Sequence, residues 1–324
     1  MKFTRASSAV IRFVLAIGIL AVAHLINLPG VSRWWAEILN LGHVFMMGAF
    51  SLIALGITGD LLGSRVPNRL RQYMIAFGVT VAVGGLFELA QIPGPRDADI
   101  VDFVRDAAGA LSFLSMYMLF DPQLSVIRSK WNRWTRAAIA VAAAGVILVA
   151  SIPAIKWTAA VYYRNSIFPT LCTFNSSCEP LFWTYRDATL ERVPPPVGWS
   201  RDTDSLVGRL TCLPSPRSGF AINQVYPDWR AYTLLKVPVY LNETEPTGFF
   251  VQIEDREYQG TDADRFTYRT EISPGANLVS VPLELTARLP DGRVPDLRHI
   301  EIVYFYTADT TDTTELFIGS IGLQ

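Results

Sequence analysis

Residues 100–120 read IVDFVRDAAGALSFLSMYMLF, an apolar run with its charges gathered at one end. Asp99 stands just before it. Asp99, Asp102, Asp106 and Gly109 are three, four and three residues apart, so they share one helical face. Arg105 falls in the same turn. A charged group in a bilayer is costly unless it is paired or faces a wet cavity, so this stripe marks a functional site inside a membrane segment.

Other runs around it support that reading. The chain has 324 residues, half of them hydrophobic, and a mean hydropathy of +0.27. Five runs reach the ~20 residues that a spanning helix needs: Ala9–Leu28, Leu41–Asp60, Tyr73–Ile92, Ile100–Phe120 and Ala137–Ile155. Lys2 and Arg5 precede the first, as in a signal peptide. That run is long for a signal segment, and no small-x-small site follows Leu28, so an uncleaved helix is expected. Past Trp157 the composition turns polar. The expectation is an α-helical membrane bundle of five transmembrane helices over residues 1–157, then an all-β sandwich or jelly roll over 158–324.

Basic residues orient the spans. Lys2 and Arg5, then Arg65, Arg69 and Arg71, then Arg128, Lys130, Arg133 and Arg136 lie on one side. The alternate loops hold only Arg33 and Arg96. The N-terminus is therefore expected in the cytoplasm and residues 158–324 outside, as in a multi-pass inner-membrane protein. Trp34, Trp35, Trp131 and Trp134 suit interfacial belts. The lipid bilayer is one partner. A net charge of −1 offers no bulk attraction to nucleic acid.

This topology brings the polar residues to one depth. His43 opens the second span from outside, and Glu88 and Gln91 close the third. Arg96, Asp97 and Asp99 sit in the external loop. Asp102 and Asp106 open the fourth span, with Asp106 roughly 9 Å below its start. His24 shares the outer half, whereas Arg12 faces the cytoplasmic half and is expected to snorkel. His43, Glu88, Asp102 and Asp106 are the candidate catalytic residues. Arg96, Gln91, Arg105 and Asp99 are the candidate binding residues, with Arg105 also the counter-ion of the stripe. Gly109 is expected to permit close helix approach.

His43, Glu88-x-x-Gln91, Arg96, Asp102, Asp106 and Gly109, in this order and spacing, resemble the VanZ-like family, named for a protein linked to resistance to the glycopeptide teicoplanin. The resemblance covers roughly residues 10–120. Leu39 and Asn40 stand where the family carries an acid and a lysine, and Asp106 where it carries asparagine. Local charge is more negative here. The resemblance implies an envelope membrane protein with an outward-facing site.

Three chemistries suit such a cluster. Carboxylates beside a histidine bind a divalent metal, with arginine steering a phosphate. Crowded carboxylates serve as general acid and base without metal. The same groups also hold a head group, or relay protons, with no bond broken. No zinc spacing, GxSxG, P-loop or dinucleotide fingerprint occurs. The cofactor is left open.

The external half alternates at period two. Ala231–Leu241, Gly248–Glu254, Arg265–Ile272, Leu278–Leu283, His299–Thr307 and Glu315–Leu323 read as strands. Arg186–Pro216, rich in proline and charge, is expected to hold longer loops. Cys172, Cys178 and Cys212 all fall outside, in an oxidising compartment. Cys172 pairs with Cys178 across a short loop, or Cys212 pairs with either. Pro227-Asp-Trp229 with Tyr232, Asp264-Arg-Phe266, Gly275-x-Asn277 and the closing strand resemble galactose-binding-type jelly rolls of the carbohydrate-binding-module kind. Gly319 and Ser320 stand where that family carries aspartate and asparagine. The resemblance implies an envelope glycan or lipid-linked precursor as partner, with Trp229 and Phe266 either stacking on sugar or filling the core. The expected function is to act on, or only to bind, that partner, with an effect on glycopeptide susceptibility. A proton-coupled transporter is the third reading, disfavoured by five spans without an inverted repeat.

Overall fold

The computed structural model describes residues 8, 10–18, 32–91, 100–199, 206–284, 289 and 292–324. The chain divides into two compact units, Met1–Trp157 and Thr158–Gln324.

In the first unit, residues 10–18 are helical (α1). Helix α2 spans Arg33–Leu62, α3 Arg69–Gln91, α4 Ile100–Met118 and α5 Ser125–Ser129, and α6 (Arg133–Ile167) begins in this unit and ends in the second. Local chemistry sets their starts. Ser32 accepts the Trp35 amide at 3.5 Å and opens α2, well before the predicted Leu41. Asn68 and Asn132 accept amides of Leu70 at 3.0 Å and Thr135 at 2.8 Å, starting α3 and α6. Helices α2, α3 and α6 are each long and apolar enough to cross a membrane. Helix α4 and the segment Pro122–Ser129 meet at 66° and together make a fourth candidate. The predicted count of five is therefore not reached among the described residues, since most of Ala9–Leu28 lies outside them.

Close packing of α2 on α4 organises this unit. A Cβ at Gly109 would overlap the Val44 carbonyl, and one at Gly48 the Phe113 ring. Val44, Met47, Leu55, Ala110 and Leu114 are buried there. Met74, Leu86, Ile100, Val104, Val141 and Leu148 are exposed instead. Arg12 pairs with Asp60 and donates to the Gly56 carbonyl at 3.0 Å.

The second unit is an antiparallel β-sandwich. Its seven-stranded sheet contains β1 (Thr170–Cys172), β3 (Ala188–Val193), β4 (Val207–Cys212), β6 (Leu234–Leu241), β9 (Gly275–Pro282), β11 (Thr314–Ile318) and β12 (Ile321–Leu323). The five-stranded sheet runs β2 (Trp183–Arg186), β5 (Ser218–Asn223), β10 (Ile300–Thr307), β7 (Thr247–Asp255) and β8 (Phe266–Ile272). Alternation supplies the core: Leu235, Val237, Val239 and Leu241 of β6 face Phe220, Phe249, Val303 and Phe305, all nearly inaccessible. Phe220 and Phe305, opposite each other on β5 and β10, have ring centroids 5.3 Å apart.

Three expectations change, for the last strand, for Arg186–Pro216 and for the cysteines, and one alternative, core against stacking for Trp229 and Phe266, is decided. Glu315–Leu323 is not one strand. The Gly319 amide donates to the Pro238 carbonyl at 2.8 Å, and the chain breaks there. Both pieces stay on β6, while β11 also joins β4 and β12 joins β1. Arg186–Pro216 holds β3 and β4, paired along six residues; glutamate and arginine on the outer face masked the alternation. Trp229 and Phe266 are core residues, and the Trp229 indole donates to the Tyr226 carbonyl at 2.7 Å. All three cysteines are free thiols. Cys172 and Cys212 are buried, and the Cys212 thiol donates to the Ser218 carbonyl at 3.3 Å. Burial pushes both of these thiols above their ordinary pKa.

Ser273-Pro-Gly275 turns a corner rather than a hairpin, because β8 and β9 belong to different sheets. Asn277 clamps it, accepting the Ser273 amide at 3.0 Å and donating to its carbonyl at 2.7 Å. Gly275 supplies a φ of +87°, which L side chains rarely adopt.

Candidate functional site

In the helical unit, polar side chains meet where α2, α3 and α4 converge. Asp106 on α4 is only 3% exposed. Its Oδ1 lies 3.1 Å from His43 Nδ1 on α2. Its Oδ2 faces Gly84 on α3, where an added Cβ would come within 2.8 Å of it. Helix α3 thus needs glycine at that level to admit the carboxylate. Glu88, one turn along the same face of α3, is buried.

One turn toward the start of α4, Asp102 accepts from Arg105 at 2.5 Å. The other Arg105 nitrogen is 3.9 Å from Glu37 on α2, and Glu37 pairs with Arg33 at 3.2 Å. The five side chains therefore fall into two groups, the pair His43–Asp106 and the trio of Arg105 with Asp102 and Glu37. Arg96 and Asp99 lie outside the described residues, as do His24 and the side chain of Gln91. Among the described residues no three His, Cys, Asp or Glu side chains form a metal-holding group. Sequence reasoning missed Glu37 because the second span was counted from Leu41; an acid at i+4 from Arg33 amid Trp34, Trp35 and Ile38 was the available signal.

The His43–Asp106 pair has a defined chemical capacity. With Asp106 ionised and the ring neutral, Nδ1–H would donate to Asp106, orienting the imidazole and leaving Nε2 as the basic nitrogen. Such a pair is suited to taking a proton from a bound group.

A second polar assembly lies on the outer face of the five-stranded sheet. Register sets Thr184, Ala221, Tyr304, Gln252 and Thr267 in one row across all five strands. The adjacent row is Arg186, Gly219, Tyr306, Phe250 and Arg269. Phe250 and Tyr306 stack at 4.9 Å, as do Tyr304 and Tyr306. Arg269 lies 5.5 Å over the Phe250 ring and Arg217 5.9 Å over Tyr306, so the aromatic row holds two guanidinium groups.

Beside this row is a depression of about 220 Å³, lined by Arg186, Arg217, Gln252, Glu254, Arg265 and Tyr304 among others. Three buried polar atoms there have no hydrogen-bond partner: Tyr304 Oη, Gln252 Oε1 and Arg265 Nε. Buried polar groups are almost always satisfied, so three orphans around one depression call for a partner from outside the protein, water or a ligand. Burial pushes the Tyr304 hydroxyl up to about 12, which keeps it a donor at neutral pH. Burial also raises Glu254, which accepts from the Gln252 amide. None of these residues was singled out from sequence. The available signal was His299–Thr307 itself, with Tyr304 and Tyr306 on the face opposite Val303 and Phe305.

At another part of the sandwich, Arg293 contacts Asp255 at 2.6 and 2.9 Å, Asp264 at 2.7 Å and Glu257 at 3.4 Å. The guanidinium is the cation that neutralises this acidic group.

No family model matches the chain, and no curated protein matches it. Similar solved structures include an exo-β-agarase, 16% identical over 48% of this chain and 24% of its own length, with a TM-score of 0.39. A family 11 carbohydrate-binding module from Clostridium thermocellum, in complex with a β-1,3-1,4-mixed-linked tetrasaccharide, is 14% identical over 48% of this chain and 93% of its own, with a TM-score of 0.37. A xylan-binding domain of carbohydrate-binding-module family 22 is 15% identical over 47% of this chain and 91% of its own, with a TM-score of 0.30. The chain thus spans about a quarter of the agarase. These likenesses assign neither ligand nor activity to this chain.

Proposed function

We propose that this chain is a multi-pass envelope membrane protein whose β-sandwich binds an envelope glycan. The observation that carries the reading is the depression on the five-stranded sheet, where buried donors and an acceptor lack partners beside an aromatic row. Sugars present hydroxyls that both donate and accept, which is what this mixed lining requires. Membrane residence is supported by apolar helices of spanning length and by exposed apolar side chains, which lipid would cover. The basic residues of alternate loops support a cytoplasmic side for residues 63–68 and an outer side for the sandwich.

Within this reading, the helical unit acts on, or holds, a lipid-linked glycan precursor. His43 with Asp106 is its acid–base pair, with Glu88 and Asp102 as further carboxylates and Arg105 as the charge that orients them. The resemblance of residues 10–120 to VanZ-like proteins agrees with an outward-facing site and with an effect on glycopeptide susceptibility.

The test uses full-length protein in intact cells and in micelles. In a Cys178→Ser background, since Cys172 and Cys212 are buried, an impermeant thiol reagent should label Thr261→Cys and spare Ser64→Cys. Purified protein should co-sediment with insoluble envelope polysaccharide, and Gln252→Leu should reduce that retention. Reversed labelling overturns the topology, and absent retention overturns glycan binding.

A further inference from the structure

The depression on the five-stranded sheet carries an excess of positive charge. Arg186 ends β2, Arg217 immediately precedes β5 and Arg265 immediately precedes β8, and all three line it. Glu254 is the carboxylate on the same lining. Asp262 pairs with Arg217 at 2.9 Å and also with Arg265, but its own side chain is 74% exposed. Arg186 has no carboxylate partner among the described residues. Three guanidinium groups thus face two carboxylates, one of which is held above its ordinary pKa by burial.

The unpartnered atoms have a matching sense. Arg265 is 8% exposed; its terminal nitrogens bond Tyr258 at 3.0 Å and Asp262, and one lies 3.6 Å from Glu254, while Nε bonds nothing. Tyr304 Oη is a second unpartnered group, and its high pKa makes it a donor. Gln252 Oε1 is the lone unpartnered acceptor, because the amide nitrogen is committed to Glu254. A complementary ligand must accept from Arg265 and Tyr304, balance Arg186, and donate to Gln252. A neutral sugar satisfies Gln252 but leaves the exposed Arg186 guanidinium without a carboxylate and Arg265 Nε without an acceptor. A carboxylate on the same ring meets both donors through charge-assisted hydrogen bonds. The volume of about 220 Å³ suits one sugar ring rather than a longer segment.

We propose that this face selects acidic sugars, with the carboxylate of a uronate-type unit on Arg186, Arg265 and Tyr304 and a ring hydroxyl on Gln252. The proposal rests on the glycan-binding reading above and deepens it.

Calorimetry on full-length protein in detergent micelles tests it, using a glucuronate tetrasaccharide and a glucose tetrasaccharide of the same linkage. The acidic ligand should bind roughly tenfold tighter at low salt, and the ratio should shrink at high salt. Arg186→Gln, at an exposed rim position, should cut the ratio by about fivefold, in line with one charge-assisted bond. Tyr304→Phe, which keeps the ring, should weaken the acidic ligand; near-ultraviolet circular dichroism checks the fold of both variants. Equal affinities would overturn acid selection and leave glycan binding standing. Failure of both ligands to bind would overturn both readings. Tighter binding of a phosphorylated glucose ligand than of glucuronate would overturn the carboxylate assignment in favour of a phosphate.

Discussion

His43 Nδ1 and Asp106 Oδ1, 63 residues apart in sequence, stand 3.1 Å apart across the α2–α4 contact. The carboxylate is 4% exposed and the imidazole 19%. A pair so enclosed couples folding to site geometry. His43→Ala and Asp106→Ala should each destabilise the helical unit, and a double-mutant cycle should give a coupling of about 0.5–3 kcal/mol. Asp106→Asn keeps an acceptor for Nδ1 and should retain most of that coupling. Thermal unfolding in detergent measures each term; a cycle that closes at zero would show that the two side chains do not interact.

Gly109 and Gly78 should respond to alanine with opposite signs. A Cβ at Gly109 overlaps the Val44 carbonyl, a backbone atom that cannot rotate away. Gly109→Ala should therefore separate α2 from α4 and cost about 1–3 kcal/mol. A Cβ at Gly78 on α3 meets nothing within 4 Å. Gly78→Ala should stabilise by about 0.5–1 kcal/mol, because alanine loses less conformational freedom in a helix. Unfolding midpoints of the two variants decide the matter.

Arg293 should be among the most sensitive positions of the sandwich. Removing its guanidinium leaves Asp255, whose side chain is 1% exposed, without its cation. Arg293→Met should cost about 3 kcal/mol, near the lower end for a broken buried pair because the arginine is 22% exposed. The pH dependence has a definite sign. The Gln259 amide, followed by Arg293, holds Asp264 below its ordinary 3.8. That contribution is present above 3.8 and is lost as pH falls through the lower folded value. The gap between wild type and Arg293→Met should therefore narrow on acidification, as protonated carboxylates stop needing a cation. Denaturant titrations at several acidic pH values, followed by tryptophan fluorescence, check this; a gap that widens in acid would falsify the charge account.

The elements themselves were largely legible. Apolar runs near 20 residues located α2, α3, α4 and α6, since an uninterrupted run of that length is too long for a strand and suits a helix. Period-two alternation located β6, β7, β8, β9 and β10. Ends were less legible. Helix α6 runs to Ile167 rather than Ile155, because after Ile155 no glycine or proline occurs until Pro169, two residues past the helix end, and Pro153 is tolerated inside it. The break between β11 and β12 escaped because its cause, the Pro238 carbonyl, lies some 80 residues away.

By itself the sequence determined which residues share a face of one helix or one strand, because those periods are local properties of the backbone. It therefore placed Asp102 and Asp106 together, and Val303 with Phe305. Tertiary structure alone decided which faces meet. Asp106 finds His43 because Gly109 lets α2 approach α4 and Gly84 leaves room on α3. Tyr304 lies between Gln252 and Ala221 because β10 is the central strand of its sheet. Strand neighbours follow from closure of the whole sandwich core, a long-range free-energy balance that no short stretch of the chain contains.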